Sequence, residues 1–130
     1  MFRRILQNVV MAAVAMLGWA GAHPHAQNPA PAISITTVPT YGTSGDMRGV
    51  VTGIAGCSGY AVAPYIYIDG SGWWSKPSFS ARTVPVNANC TFSATVTTGG
   101  NDQVAVILCA ALVPAGSTPP LADGTGRIPA

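Results

Sequence analysis

Between residues 33 and 113 the chain sustains no helical pattern and advances as short β-type runs, each closed by Gly, Pro or Asn. Residues 33–38 (ISITTV) are the first candidate strand, and 47–54 (MRGVVTGI) the second. Gly49 and Gly53 in that second run mark a bulge or a close backbone approach. Residues 60–69 (YAVAPYIYID) are the third, and Gly70-Ser71-Gly72 turns out of it. Residues 73–80 (WWSKPSFS) read as a crossing segment, because Pro77 interrupts any ladder. Residues 82–86 and 91–97 flank Asn87-Ala88-Asn89-Cys90, a turn that reads as a hairpin. In 91–97, Phe92, Ala94 and Val96 alternate with Thr and Ser, so one face is buried and the other wet. Residues 104–113 (VAVILCAALV) suit a strand buried on both faces, too short to span a bilayer. The tail from Pro114 is rich in Pro and Gly and is expected to cross the domain without regular structure. About seven strands with turn signals every 8–12 residues or so belong to an all-β antiparallel sandwich. Its core is expected from Val50, Val62, Ile66, Ile68, Phe92, Val96, Val106 and Leu108.

The N-terminus points to export. Arg3 and Arg4 precede an apolar stretch over residues 9–20, and Ala20-Gly21-Ala22 is a small-x-small cleavage signal. Residues 1–22 therefore read as a signal peptide, 23–32 (HPHAQNPAPA) as a Pro-rich linker, and 33–130 as one β-sandwich module. The mature chain is expected to be secreted, extracellular or periplasmic, with no membrane span. Without the leader, Arg48, Lys76, Arg82 and Arg127 balance Asp46, Asp69, Asp102 and Asp123, so no basic footprint for nucleic acid remains. An oxidising compartment makes the three cysteines meaningful. Cys57, in the turn before the third strand, and Cys109, late in the central strand, are expected to meet at one pole as a disulfide. Cys57–Cys90 and Cys90–Cys109 stay open as alternatives.

The most informative chemistry is aromatic. The strand period of two places Val62, Pro64, Ile66 and Ile68 on one face of residues 60–69, and Tyr65, Tyr67 and Asp69 on the other. Trp73 and Trp74 follow directly. Flat rings beside hydrogen-bonding groups suit sugars, whose C–H faces stack on aromatics while hydroxyls reach Asp, Asn or Lys. Tyr65, Tyr67, Asp69, Trp73, Trp74 and Lys76 are therefore the candidate ligand-binding residues. The structural alternative has the tyrosines under the crossing segment and the tryptophans plugging the core.

Glycoside hydrolysis needs two placed carboxylates. Asp69 and Asp102 are the only pair to consider, and Asp102 sits in a turn where Asp commonly caps. His23 and His25 flank a proline in the linker, which argues against a metal site, and no nucleophile elbow or internal histidine supports acyl transfer. No cofactor, metal or catalytic activity is expected.

Several segments together resemble a known pattern: Gly49-x-x-x-Gly53, Val62-Ala63-Pro64-Tyr65-Ile66-Tyr67-Ile68, Trp73-Trp74-Ser75-Lys76-Pro77 and Thr97-Thr98-Gly99-Gly100-x-Asp102. Ala110-Ala111-Leu112-Val113-Pro114 and Pro119-Pro120-Leu121 follow. The chain thereby resembles the small immunoglobulin-like modules of secreted bacterial proteins, stand-alone or appended to polysaccharide-acting proteins. Cys90 stands where such modules more often have Gly. The resemblance implies an immunoglobulin-like antiparallel β-sandwich of about seven strands, preceded here by the signal peptide. The expected function is a secreted, non-catalytic module that binds a glycan or cell-wall polymer through its aromatic surface. The alternative is an extracellular protein-interaction module or structural spacer, with another secreted protein as partner.

Overall fold

The computed structural model describes residues 4–10 and 30–128. The cleavage signal Ala20-Gly21-Ala22 and linker residues 23–29 lie outside the described residues. Among the described residues the protein is all-β. Its strands are β1 (Arg4–Val10), β2 (Ala32–Thr37), β3 (Asp46–Thr52), β4 (Tyr60–Ile68), β5 (Gly72–Ser75), β6 (Val84–Pro85), β7 (Thr91–Thr95), β8 (Ile107–Pro114) and β9 (Asp123–Thr125). Single 3-10 turns at Cys57–Gly59 and Asp102–Val104 lead into β4 and β8. Among the described residues no helix is long and apolar enough to cross a membrane.

Two sheets face each other. The larger runs β1-β8-β4-β5-β9, with β6 also on β4, and the smaller runs β2-β3-β7. Every pairing is antiparallel except β1 with β8. Ile33, Ile35, Met47, Val51, Phe92 and Ala94 of the smaller sheet pack against Val62, Ile66, Ile68, Leu108, Ala110 and Leu112 of the larger. The alternation in residues 60–69 thus sets the register of β4, with the aliphatic side chains inward. The core contains Val62, Ile66, Ile68, Phe92, Val96 and Leu108 as expected, and Val106 is buried too. Val50 is the exception. It is half-buried, because β3 turns Met47, Gly49 and Val51 inward instead. Gly49 is where the smaller sheet closes most tightly: a Cβ there would lie 2.2 Å from the Ser34 carbonyl oxygen and 2.6 Å from the Phe92 ring.

Three connections differ from the sequence reading. Residues 82–97 are not a hairpin, because β6 pairs with β4 and β7 pairs with β3, so the Asn87–Cys90 turn crosses between sheets. The 73–80 segment begins as a regular strand, with β5 paired to β4 on one side and β9 on the other. The tail is not wholly irregular, since β9 adds to that edge. Pro64 explains why the chain leaves β4 after Ser75. Its carbonyl accepts the Lys76 N–H at 3.0 Å, and a strand residue's N–H points to the same side as its carbonyl. The missing donor of Pro64 therefore faces the gap between β5 and β6, and the passing chain is offered a carbonyl but no N–H there.

The disulfide also differs from expectation. Cys57 bridges Cys90, with the Cα atoms 5.2 Å apart, and Cys109 is a buried free thiol. The register gives the reason. Tyr60 opposes Pro114 whereas Cys109 opposes Tyr65, so Cys109 sits mid-strand, about 15 Å or more from the Cys57 pole. Its side chain also packs on the outer face of the sheet, while Cys57 belongs to the inner core. Cys90 has a φ of 66°, a left-handed conformation ordinarily favouring Gly. Its carbonyl accepts the Val51 N–H at 2.8 Å, which ties the bridged turn to β3.

Candidate functional site

The aromatic ladder read on β4 and β5 is divided between covered and accessible positions. Tyr65 and Trp73 are 2% and 7% exposed, packed with Ala63, Cys109, Ala111 and Ala122. The C-terminal tail covers them, rather than the crossing segment. The Tyr65 hydroxyl donates to the Pro120 carbonyl at 2.8 Å, the Ala122 N–H donates to Ser75 Oγ at 2.8 Å, and the Arg82 guanidinium donates to the Pro119 carbonyl at 2.9 Å. Tyr67 is half-buried, its ring tilted against Trp73 at 5.3 Å between centroids. Asp69 is exposed at the end of β4. Tyr65, Trp73 and Lys76 are thus enclosed, as in the structural alternative, whereas Tyr67 is half-buried and Asp69 exposed.

Burial sets the chemistry of that outer layer. The Cys109 thiol is pushed up to about 12 by desolvation, so it is protonated and unreactive at neutral pH. Tyr65 is also raised, first by burial and then by the neighbouring Cys109, with Arg82 opposing the shift.

Trp74 has the other fate. Alternation turns it away from Trp73, and it is half-buried at the rim of the inner core. Phe79, 46% exposed, lies parallel to it, with centroids 6.1 Å apart and planes 8° apart. The excursion after Ser75 brings Phe79 back over the indole, held by the Arg82 Nε–H donating to the Phe79 carbonyl at 2.7 Å. Among the described residues Trp74 Nε1 is buried with no hydrogen-bond partner, and buried indole N–H groups usually have one. Trp74 lines a groove of about 260 Å³ with Ile68, Ser71, Gly99, Gly100, Asn101 and Asp102.

The far wall of this groove is the 98–101 loop, and a buried charge holds it. Asp102 Oδ2 accepts the backbone N–H of Thr98 at 2.9 Å and of Gly99 at 3.2 Å, and the Thr98 hydroxyl at 3.2 Å. The same oxygen receives the Lys76 ammonium in a direct ion pair, and Lys76 Nζ also donates to the Thr98 hydroxyl at 2.9 Å. Lys76 and Asp102 are each 7% exposed. Lys76 is therefore a positioning residue, fastening the loop opposite Trp74. The loop's other side borders a second, polar groove of about 270 Å³ with Ser44, Thr97 and Gln103.

Sequence reasoning brought Trp74 to this site and missed Ile68, Ser71 and Asn101 of the groove lining, and Phe79, which stacks on Trp74. Phe79 carried a signal, as an aromatic five residues beyond Trp74 and past the strand-breaking Pro77. Among the described residues no three His, Cys, Asp or Glu side chains gather to hold a metal. Asp69 is exposed, whereas Asp102 is committed to the loop and to Lys76. No family model, curated protein or solved structure matches the chain.

Proposed function

We propose that the protein is a secreted, non-catalytic, immunoglobulin-like module that binds a glycan or cell-wall polymer in the groove beside Trp74. One observation carries this reading. A half-buried indole whose N–H has no partner among the described residues is stacked by an exposed Phe79 and faces a loop rich in backbone and amide groups. An aromatic plane takes the C–H face of a sugar ring, while Ser71, Asn101 and the backbone of Gly99 and Gly100 serve its hydroxyls. The ion pair inside the loop neutralises Asp102, so the groove suits an uncharged sugar. The immunoglobulin-like assignment is supported by two facing sheets and their largely antiparallel pairing. Secretion is supported by the leader pattern and by the Cys57–Cys90 disulfide. The test is retention on a panel of insoluble polysaccharides. The wild type is retained on at least one, and Trp74→Ala and Phe79→Ala each weaken retention about tenfold or more. Absence of retention across the panel would overturn the reading.

A further inference from the structure

Among the described residues β8 is the most apolar strand, and β4 pairs with one of its edges. Its residues 108–113 are 0–3% exposed, and the chain carries no charge between Asp102 and Asp123. Its other edge is taken, in parallel register, by β1, with Arg4 opposite Ile107 and Val10 opposite Leu112. β1 lies in the segment that export would remove. Edge strands of soluble proteins are ordinarily blunted by charge, proline, a bulge or shortness. Among its eight residues β8 has no charge, and its single proline, Pro114, stands at the far end. Removal of β1 would leave a long apolar edge with none of these protections.

The strand also complements itself. Read antiparallel about Ala110, ILCAALV sets Ile107 against Val113, Leu108 against Leu112, Cys109 against Ala111 and Ala110 against its own copy. Bulky residues meet bulky ones at both ends and small ones meet small in the middle, which is what a twofold strand pair requires. Three prolines in the linker, Pro24, Pro29 and Pro31, leave it few N–H donors with which to pair that edge.

We infer that the exported chain forms a twofold dimer by antiparallel pairing of β8 with β8 of a second copy, so that the β9-β5-β4-β8 sheet continues into its copy. The inference rests on the export reading within the proposed function. It also accounts for the odd cysteine. In this register the two Cys109 residues stand diagonally, about 7–8 Å apart, beyond the roughly 7 Å Cα limit for a bridge. Cys109 stays a thiol in the dimer.

The test uses the chain as exported by a secretion-competent host, with its N-terminus read by intact mass. A chain beginning at His23 is expected to sediment at twice the monomer mass, and excess peptide RILQNVV (residues 4–10) is expected to return it to monomer. In a Cys109→Ala background, Ala110→Cys is expected to form an interchain disulfide across the axis, while Ala111→Cys is not. A processed wild type that stays monomeric, or a dimer that the peptide leaves intact, overturns the inference without touching export. A chain still beginning at Met1 overturns the export premise instead. The wild-type sedimentation and peptide measurements decide the matter even if a cysteine variant folds poorly.

Discussion

Replacing Lys76 with Met tests whether the groove is built on a buried charge. The methionine keeps most of the aliphatic stem and removes the ammonium, leaving the Asp102 carboxylate 7% exposed with the Thr98 and Gly99 N–H groups and the Thr98 hydroxyl as its remaining partners. Breaking a buried pair by removing one partner costs about 3–5 kcal/mol, because an uncompensated charge remains. The two backbone donors offset part of this, so the lower end, about 3 kcal/mol, is expected. A domain of this size has only about 5–15 kcal/mol in total, and at roughly 4–8 °C per kcal/mol the melting temperature should fall by more than 10 °C. Urea denaturation of wild type and Lys76→Met, followed by far-UV circular dichroism, gives the difference at unchanged m-value. A loss below about 1 kcal/mol would match an exposed surface pair. That result would refute the argument that the 98–101 loop is fastened from within.

Gly49→Ala should destabilise by about 2 kcal/mol or more, since its Cβ would press on the fixed Ser34 carbonyl at 2.2 Å and on the Phe92 ring; a thermal melt unchanged from wild type would contradict the β2–β3 packing. Non-reducing peptide mapping should recover Cys57 linked to Cys90, with Cys109 alkylated only after unfolding, and Cys57→Ala/Cys90→Ala should cost about 3–4 kcal/mol for a sequence separation of 33. Recovery of a Cys109-linked peptide would refute that pairing. Stability should decline at alkaline pH. Cys109 is raised from 9.0 to about 12, so the unfolded chain loses its proton first; the contribution is whole below pH 9 and is lost at up to about 1.4 kcal/mol per pH unit towards about 12. Cys109→Ala should flatten that decline in pH-dependent urea melts, and an equally steep decline in the variant would remove Cys109 as its cause.

Legibility in the sequence followed how local each determinant is. The inward set Val62, Ile66 and Ile68 was legible because an uninterrupted period of two admits one register over nine residues. The adjacent pair Val50-Val51 beside Gly49 offers two registers, and only the packing of Gly49 on Phe92 selects Val51 as the inward residue. The Asn87–Cys90 turn has hairpin chemistry, yet its arms belong to different sheets, a choice made by β4 and β3 rather than by the turn. Lys76 read as a ligand-binding residue at the end of an aromatic run. Its burial depends on Asp102, 26 residues away. Tyr65 and Trp73 are covered by residues 119–122, a stretch whose prolines and small side chains show no periodicity to mark it as a lid over a sheet. Trp74 was legible as an aromatic beside a turn, but the Phe79 stack that completes it depends on the excursion Pro64 imposes after Ser75.

The most direct measurement of the proposed site is the emission of Trp74 alone. In the exported chain Trp73→Phe leaves Trp74 as the single indole and keeps an aromatic in the covered layer. Soluble oligosaccharides of whichever polymer retains the wild type are then titrated against it. A saturable change in Trp74 emission, at a midpoint within about threefold of the affinity measured for the wild type, is the predicted result. Retention of the wild type with an emission unmoved by saturating ligand would place binding elsewhere and contradict the account.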